Sequence, residues 1–315
     1  MGTLNIDFEV PYHLIIHYYI SGSIALILNL LVVYLIVFHS GKLDTFRFYL
    51  LTFQVVCIIS DSNITVFMQP VGLFPICAGY CNGIASRFFN WSSHVLMTIY
   101  TFLMSGQIEV LTICFLRKHK AVMNIRNLSK ATNWKYPIFY TGCILFTCSI
   151  AFSVFMSGVS KEKQIAELEK LYPEVAPNFR ALREFHYYIL NNWLITFFVL
   201  TTIGTAKATV IVSILVLRMY KTLNDNASQI SSKTLAKHKT ALKSLIMQFM
   251  TTPISFFPAF VVLLTVLIPT EYSQKISWWS LMVGTTHSTL NSIVVIITYA
   301  ELRKALFFWR RNAKK

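Results

Sequence analysis

Long apolar runs alternate along this 315-residue chain with short segments that gather most of its charge. The run from 91 to 120, WSSHVLMTIYTFLMSGQIEVLTICFLRKHK, shows the pattern at its sharpest. It carries a single charge, Glu109, until it stops on Arg117, Lys118, His119 and Lys120. A helix of ~25 residues rises ~37 Å, enough to cross a hydrocarbon core of ~30 Å with some tilt. Six further runs have comparable length. The pattern predicts an all-α bundle of seven transmembrane helices at about 14–38, 48–69, 91–116, 137–156, 188–217, 244–268 and 278–300. The chain then divides into an extracellular N-terminus (1–13), a seven-helix domain (14–300) and a cytoplasmic basic tail (301–315).

The segments between the runs differ in kind. Residues 70–83, PVGLFPICAGYCNG, are rich in Gly and Pro and predict a turn-forming cap. In the longest loop, 158–185, Ile165, Leu168 and Tyr172 recur at helical spacing and stop at Pro173, which predicts a short amphipathic helix over the bundle. The tail ELRKALFFWRRNAKK places Leu302, Leu306 and Trp309 on one side of a basic helix, as an interfacial cytoplasmic helix would.

Charge sets the expected polarity. Twenty of the 28 Lys and Arg fall in the tail and in the loops after helices one, three and five; seven fall in the alternate loops, and Lys207 lies within helix five. Basic loops stay cytoplasmic, so the N-terminus is expected outside and the C-terminus inside. The residues before the first run include Asp7 and Glu9 but no Lys or Arg, so helix one is expected to act as its own insertion signal. Hydrophobic residues make up 55% of the chain and charged ones 13%, against about 25% charged in soluble domains. The net charge of +15 is therefore assigned to membrane lipid and a cytoplasmic protein partner, not to nucleic acid. No hydrolase, metalloprotease or nucleotide-binding motif occurs, so neither an enzyme nor a cofactor is expected.

Several groups stand out as candidates. Asn29, Asp61 and Asn291 lie at similar depth in helices one, two and seven, where they form either a static packing knot or a switching or ion site. Glu109 and Lys207 differ in depth by only ~5 Å, so they either pair between helices three and five or leave Lys207 to snorkel alone. Pro253 and Pro258 interrupt helix six, as a fixed kink or as a hinge. Residues 117–120, with the neighbouring basic loops, offer a cationic surface to a partner. His94, Trp193 and His287 are candidates for a small-molecule pocket, while Trp278 and Trp279 read as an interfacial belt. Cys77 and Cys81 share one loop as a disulfide or as free thiols; Cys57, Cys114, Cys143 and Cys148 lie in apolar runs. A rival reading is a seven-helix ligand-gated ion channel or transporter. Seven-helix channels of the insect chemoreceptor type have the opposite topology, which the charge distribution disfavours.

Five stretches carry a resemblance: KLDTFRFYLLTFQ (42–54), MQPVGLFPICAGYCNG (68–83), CFLRKHK (114–120), TTPISFFP (251–258) and NSIVVIITYAELRKAL (291–306). Together they resemble the nematode serpentine chemoreceptors of class I, with class H the near relative, over about residues 11–309. The resemblance implies a chemosensory G-protein-coupled receptor in the plasma membrane of sensory neurons and their cilia. Its partners would be a small-molecule ligand and a heterotrimeric G protein, with residues 117–119 matching the cytoplasmic motif at the end of helix three. Two departures from rhodopsin-like receptors are visible. Leu116 replaces the usual acid before Arg117, and the long outer loop has no Cys for the usual link to helix three.

Overall fold

Residues that are apolar on every side have one stable answer to a bilayer, a helix that satisfies its own backbone, and the apolar runs take it. The computed structural model describes residues 6–39, 46–124, 135–228, 231–299 and 303. The tail helix expected at 301–315 lies outside the described residues, apart from Arg303.

Among the described residues, seven helical spans are long and apolar enough to cross a membrane. They are α1 (Tyr12–His39), α2 (Phe46–Ser62) with its π-helical extension Asn63–Met68, and α4 (Ser93–Asn124). Then follow α5 (Lys135–Ser157), α8 (Asn192–Asp225), α9 (Ser232–Leu267) and the pair α10 (Ser273–Gly284) and α11 (His287–Thr298). Short helices α3 (Ile84–Phe89), α6 (Lys161–Leu171) and α7 (Ala176–Ala181) lie between them. Helix six thus begins at Ser232, well before the expected 244, because its polar first turns project beyond the apolar run. Pro253 and Pro258 both sit inside this continuous helix, where each leaves the carbonyl four residues earlier without its usual donor.

The loop at 70–83 is more than a set of turns. It forms a hairpin, β1 (Pro70–Gly72) and β2 (Ala78–Cys81), to which the long loop adds β3 (His186–Tyr187). The order is β1-β2-β3, antiparallel throughout, with Val71 opposite Tyr80 and Gly79 opposite His186. Gln69, at φ 45°, turns the chain from the π-helical turn into β1. Two side chains cover the open edge of β1: Tyr18 Oη donates to the Pro70 carbonyl and Trp278 Nε1 to the Gly72 carbonyl, both at 2.9 Å. Carbonyls that an edge strand would leave open are thereby satisfied from two helices. Trp278, expected in an interfacial belt, is buried for this purpose, whereas Trp279 is exposed.

A core of water-soluble type caps this end of the bundle. Ile6, Leu14, Tyr18, Leu73, Leu168 and Phe179 pack in it, and Phe8 meets Phe179 edge-on at 5.1 Å. The long loop folds as the helical spacing predicts: Leu168 is fully buried, with Ile165 and Tyr172 packed against the same core. Ser160 caps α6 by accepting from the Lys163 amide. Gln274 fixes the N-terminal segment, accepting from the Asp7 amide at 2.9 Å and donating to the Asp7 carbonyl at 2.7 Å.

Gly83 marks the tightest approach of a glycine to neighbouring backbone, because a Cβ there would land on the backbone carbonyl of Phe67. Gly142, on the outer face of α5, has open space around it. Gly83→Ala is expected to cost about 1–3 kcal/mol of stability through overpacking, and Gly142→Ala to be neutral or to gain up to about 1 kcal/mol. Parallel thermal melts of the purified protein check this; equal melting temperatures would contradict the close packing at Gly83.

Candidate functional site

A cavity of ≈ 300 Å³ lies beneath the sheet, within the range of small-molecule sites. One face of α4 lines it, through Met97, Tyr100, Thr101, Met104, Ser105, Ile108 and Glu109. These positions recur every three or four residues, the spacing of a single helix face. Opposite stand Phe146, Ile150 and Val154 of α5, Phe197, Thr201 and Gly204 of α8, and Phe256, Pro258 and Val262 of α9. The roof is the sheet itself, with Val71, Ala78, Cys81 and His186, followed by Tyr188.

The expected pocket residues fall beside this cavity, not on it. Trp193 points outward, 40% exposed, and packs edge-on against Phe152. His287 is buried between helices away from the lining. His94 stands directly behind the roof: its Nε2 donates to the Phe155 carbonyl at 2.9 Å and its Nδ1 meets Tyr188 Oη at 3.3 Å. Its ring stacks on His186 at 4.4 Å. The histidine that borders the cavity there is His186, which the sequence left at the end of a loop. Its imidazole is pushed down to about 3, first by burial and then by the neighbouring His94.

Cys77 and Cys81 are both free thiols. Cys81 ends β2 and Cys77 directly precedes it, so the extended backbone holds them ~13 Å apart, beyond the ~4.4–6.8 Å that a disulfide spans. Burial pushes the two thiols up to about 11 and about 12.

Lys207 of α8, itself partly exposed, reaches the buried Glu109 carboxylate of α4 in an ion pair at the floor of the cavity. Its ammonium also stands 4.1 Å from the Phe146 ring centre. Pairing resolves a cost of several kcal/mol for each lone charge in this setting.

Asn29, fully buried in α1, organises the polar cluster. Its Nδ2 donates to Asp61 at 3.1 Å and to Ser288 at 2.8 Å, while its Oδ1 accepts from Gln54 and Ser292. Asn291 is not the partner from helix seven. It sits one residue, about 100° of helix rotation, from Ser292. Its Nδ2 instead faces Cys57 Sγ at 3.9 Å and its Oδ1 has no partner. Ser288 and Ser292, four residues apart, are the legible signal for that face.

At the opposite, basic end, Arg117 has no acidic neighbour in contact among the described residues. Its guanidinium lies over three tyrosine rings, Tyr49 at 4.9 Å, Tyr140 at 5.1 Å and Tyr136 at 5.4 Å. Tyr136 and Tyr140 are four residues apart and so share one face of α5. Lys120 also uses Tyr136, at 4.4 Å. Lys118 is only 4% exposed, with its ammonium 5.2 Å from the Phe46 ring, so it is not a surface cation in this conformation. His119 is near Arg218 of α8. Among the described residues, no three His, Cys, Asp or Glu side chains converge on a metal position.

The fold is similar to the crystal structure of squid rhodopsin, with a TM-score of 0.62 at 14% identity, covering 96% of this chain and 88% of that one. No curated protein sequence matches. A family model described as serpentine type 7TM GPCR chemoreceptor Sri matches residues 4–306, and the chain belongs to that family of multi-pass membrane receptors.

Proposed function

We propose that this protein is a chemosensory receptor that binds a small molecule in the cavity beneath the sheet and passes the event to a cytoplasmic G protein. The cavity carries the reading. It is apolar, roofed by the sheet, and lined along α4, the same helix that carries Arg117 toward its other end. The sheet end is the extracellular end in this proposal and the basic end the cytoplasmic one, following the distribution of Lys and Arg. Family membership supports sensory transduction as the setting: olfaction in a nematode, at the plasma membrane of a sensory neuron and its cilium.

The ligand acts by binding one arrangement of the bundle better than another. Pro258 lines the cavity and Pro253 lies further toward the basic end, so α9 joins the ligand site to the face that would meet the G protein. Loss of two helix hydrogen bonds gives α9 soft points about which that end can swing. The movement would release Arg117 from its tyrosine rings, so that the guanidinium, with His119 and Lys120, meets the G protein. Lys118 would join them only if it left the Phe46 ring. The Asn29–Asp61–Ser288 network would hold helices one, two and seven as the fixed frame.

Three outcomes are expected. Thr101→Trp, which fills the cavity, should lower the potency of any activating odorant at least 100-fold, whereas Ile144→Trp on the outer face of α5 should stay within threefold of wild type in a calcium-reporter assay. Arg117→Ala should abolish ligand-evoked nucleotide exchange on the G protein with surface delivery intact; unchanged exchange removes Arg117 from the mechanism. An epitope tag after Lys315 should be reached by antibody only after the cells are permeabilised, and staining of intact cells would reverse the proposed orientation.

A further inference from the structure

The roof of the cavity contains a hydrogen-bond donor whose identity the surrounding network fixes. Gln164 of α6 is 3% exposed and makes three contacts. Its Oε1 accepts from the Tyr187 amide at 2.7 Å, and its Nε2 donates to the Val159 carbonyl at 2.8 Å. These two bonds settle which end of the amide is nitrogen. The second Nε2 proton then faces His186 Nδ1 at 3.2 Å, so Nδ1 is an acceptor and the ring's proton is on Nε2. Burial keeps the ring neutral.

His186 is 6% exposed and borders the cavity, and its Nε2 has no partner. His94 stacks on one ring face, Gln164 holds the Nδ1 edge, and the Tyr188 ring stands 4.5 Å away. Buried donors without a partner are rare in native structures and call for one. The neighbouring Tyr188 hydroxyl is already engaged, because His94 Nε2 donates to the Phe155 carbonyl and so His94 Nδ1 accepts from Tyr188. The Tyr100 hydroxyl also borders the cavity, but it rotates and can donate or accept, so it does not discriminate. One charged side chain lines the space, Glu109; Lys207 pairs with its Oε1 and balances its charge, while its Oε2 is buried without a hydrogen-bond partner. A charged ligand would find no counter-ion among the lining residues, and burying it unpaired is prohibitive.

We infer that the ligand is an uncharged, largely apolar molecule that presents a hydrogen-bond acceptor, such as a ketone, ester or ether oxygen, to Nε2–H of His186. This rests on the proposed reading of the cavity as the ligand site. The test uses the full chain in lipid nanodiscs and four probes with one chain length: 2-nonanone, nonane, nonanoate and nonylammonium. Apparent affinities are read from ligand-dependent thermal melts, at equal concentration of each probe in the bilayer. One good hydrogen bond corresponds to about tenfold in affinity. Wild type should bind 2-nonanone about tenfold more tightly than nonane and both charged probes more weakly than either. His186→Phe should bring ketone and alkane within threefold without weakening nonane, and Tyr100→Phe should leave the preference intact.

Equal binding of ketone and alkane to wild type overturns the inference while leaving the cavity as a binding site. A preference that survives in His186→Phe, or one that disappears in Tyr100→Phe, overturns it equally, and the second outcome does not depend on the histidine variant folding. Tightest binding of either charged probe rejects the uncharged class. Binding of none of the four removes the cavity reading together with the inference.

Discussion

Hydrocarbon offers no hydrogen bonds, and most of this architecture follows from that lack. A polar group inside the bundle must find its partner on the protein or do without. Asn29 satisfies this by joining three helices through Asp61, Gln54, Ser288 and Ser292. Lys207 and Glu109 satisfy it as a pair between α4 and α8. Many Ser and Thr hydroxyls satisfy it locally, as Thr98, Thr112 and Thr201 do by bonding the carbonyl four residues earlier. Apolar contact alone gives little drive to helix association in lipid, because lipid tails are as apolar as Leu. The polar joints therefore specify which helices meet, and the apolar side chains fill the space between them.

The sheet end works under different physics. Water is the solvent there, so burial of Phe179, Leu168 and Leu73 is itself stabilising, by about 1.5–3 kcal/mol for each side chain fully removed from water. This separate core ties the N-terminal segment, the hairpin and the long loop into one lid. It takes the place of a disulfide between helix three and the loop, which the cysteine positions do not allow. Main-chain pairing of β3 with β2, with the Tyr188 amide donating to the Cys77 carbonyl, does the tethering. The lid also brings Gln164, His94 and His186 together, and the cavity's sharpest polar feature is a by-product of how its roof is held.

At the basic end, no acid among the described residues touches Arg117, and aromatic rings hold it instead. A carboxylate partner would bring its own desolvation cost. Aromatic faces bring none, and each ring contributes roughly 0.5–2 kcal/mol depending on how dry the site is. Three rings from α2 and α5 hold Arg117, so its position is tied to the packing of those helices.

The sequence by itself determined the membrane class, the seven spans and the amphipathic helix over the bundle, because hydrophobic length and charge placement answer directly to the solvent. It brought Glu109 within reach of Lys207 by depth alone. It could not determine rotation about each helix axis. The spans are apolar on nearly every side, so periodicity does not show which face turns inward, and Asn291 stands out in the sequence ahead of Ser288 and Ser292 for that reason. Nor could it reveal a sheet built from two-to-four-residue strands, the third far along the chain from the first two, since strands that short leave no pattern. Trp193 and His287 look like pocket residues by type and by their place near the outer ends of helices, and His186, at the end of a loop, does not. Only tertiary structure decided between them, because lining a cavity depends on which neighbours are missing, and a linear order of residues does not carry that information.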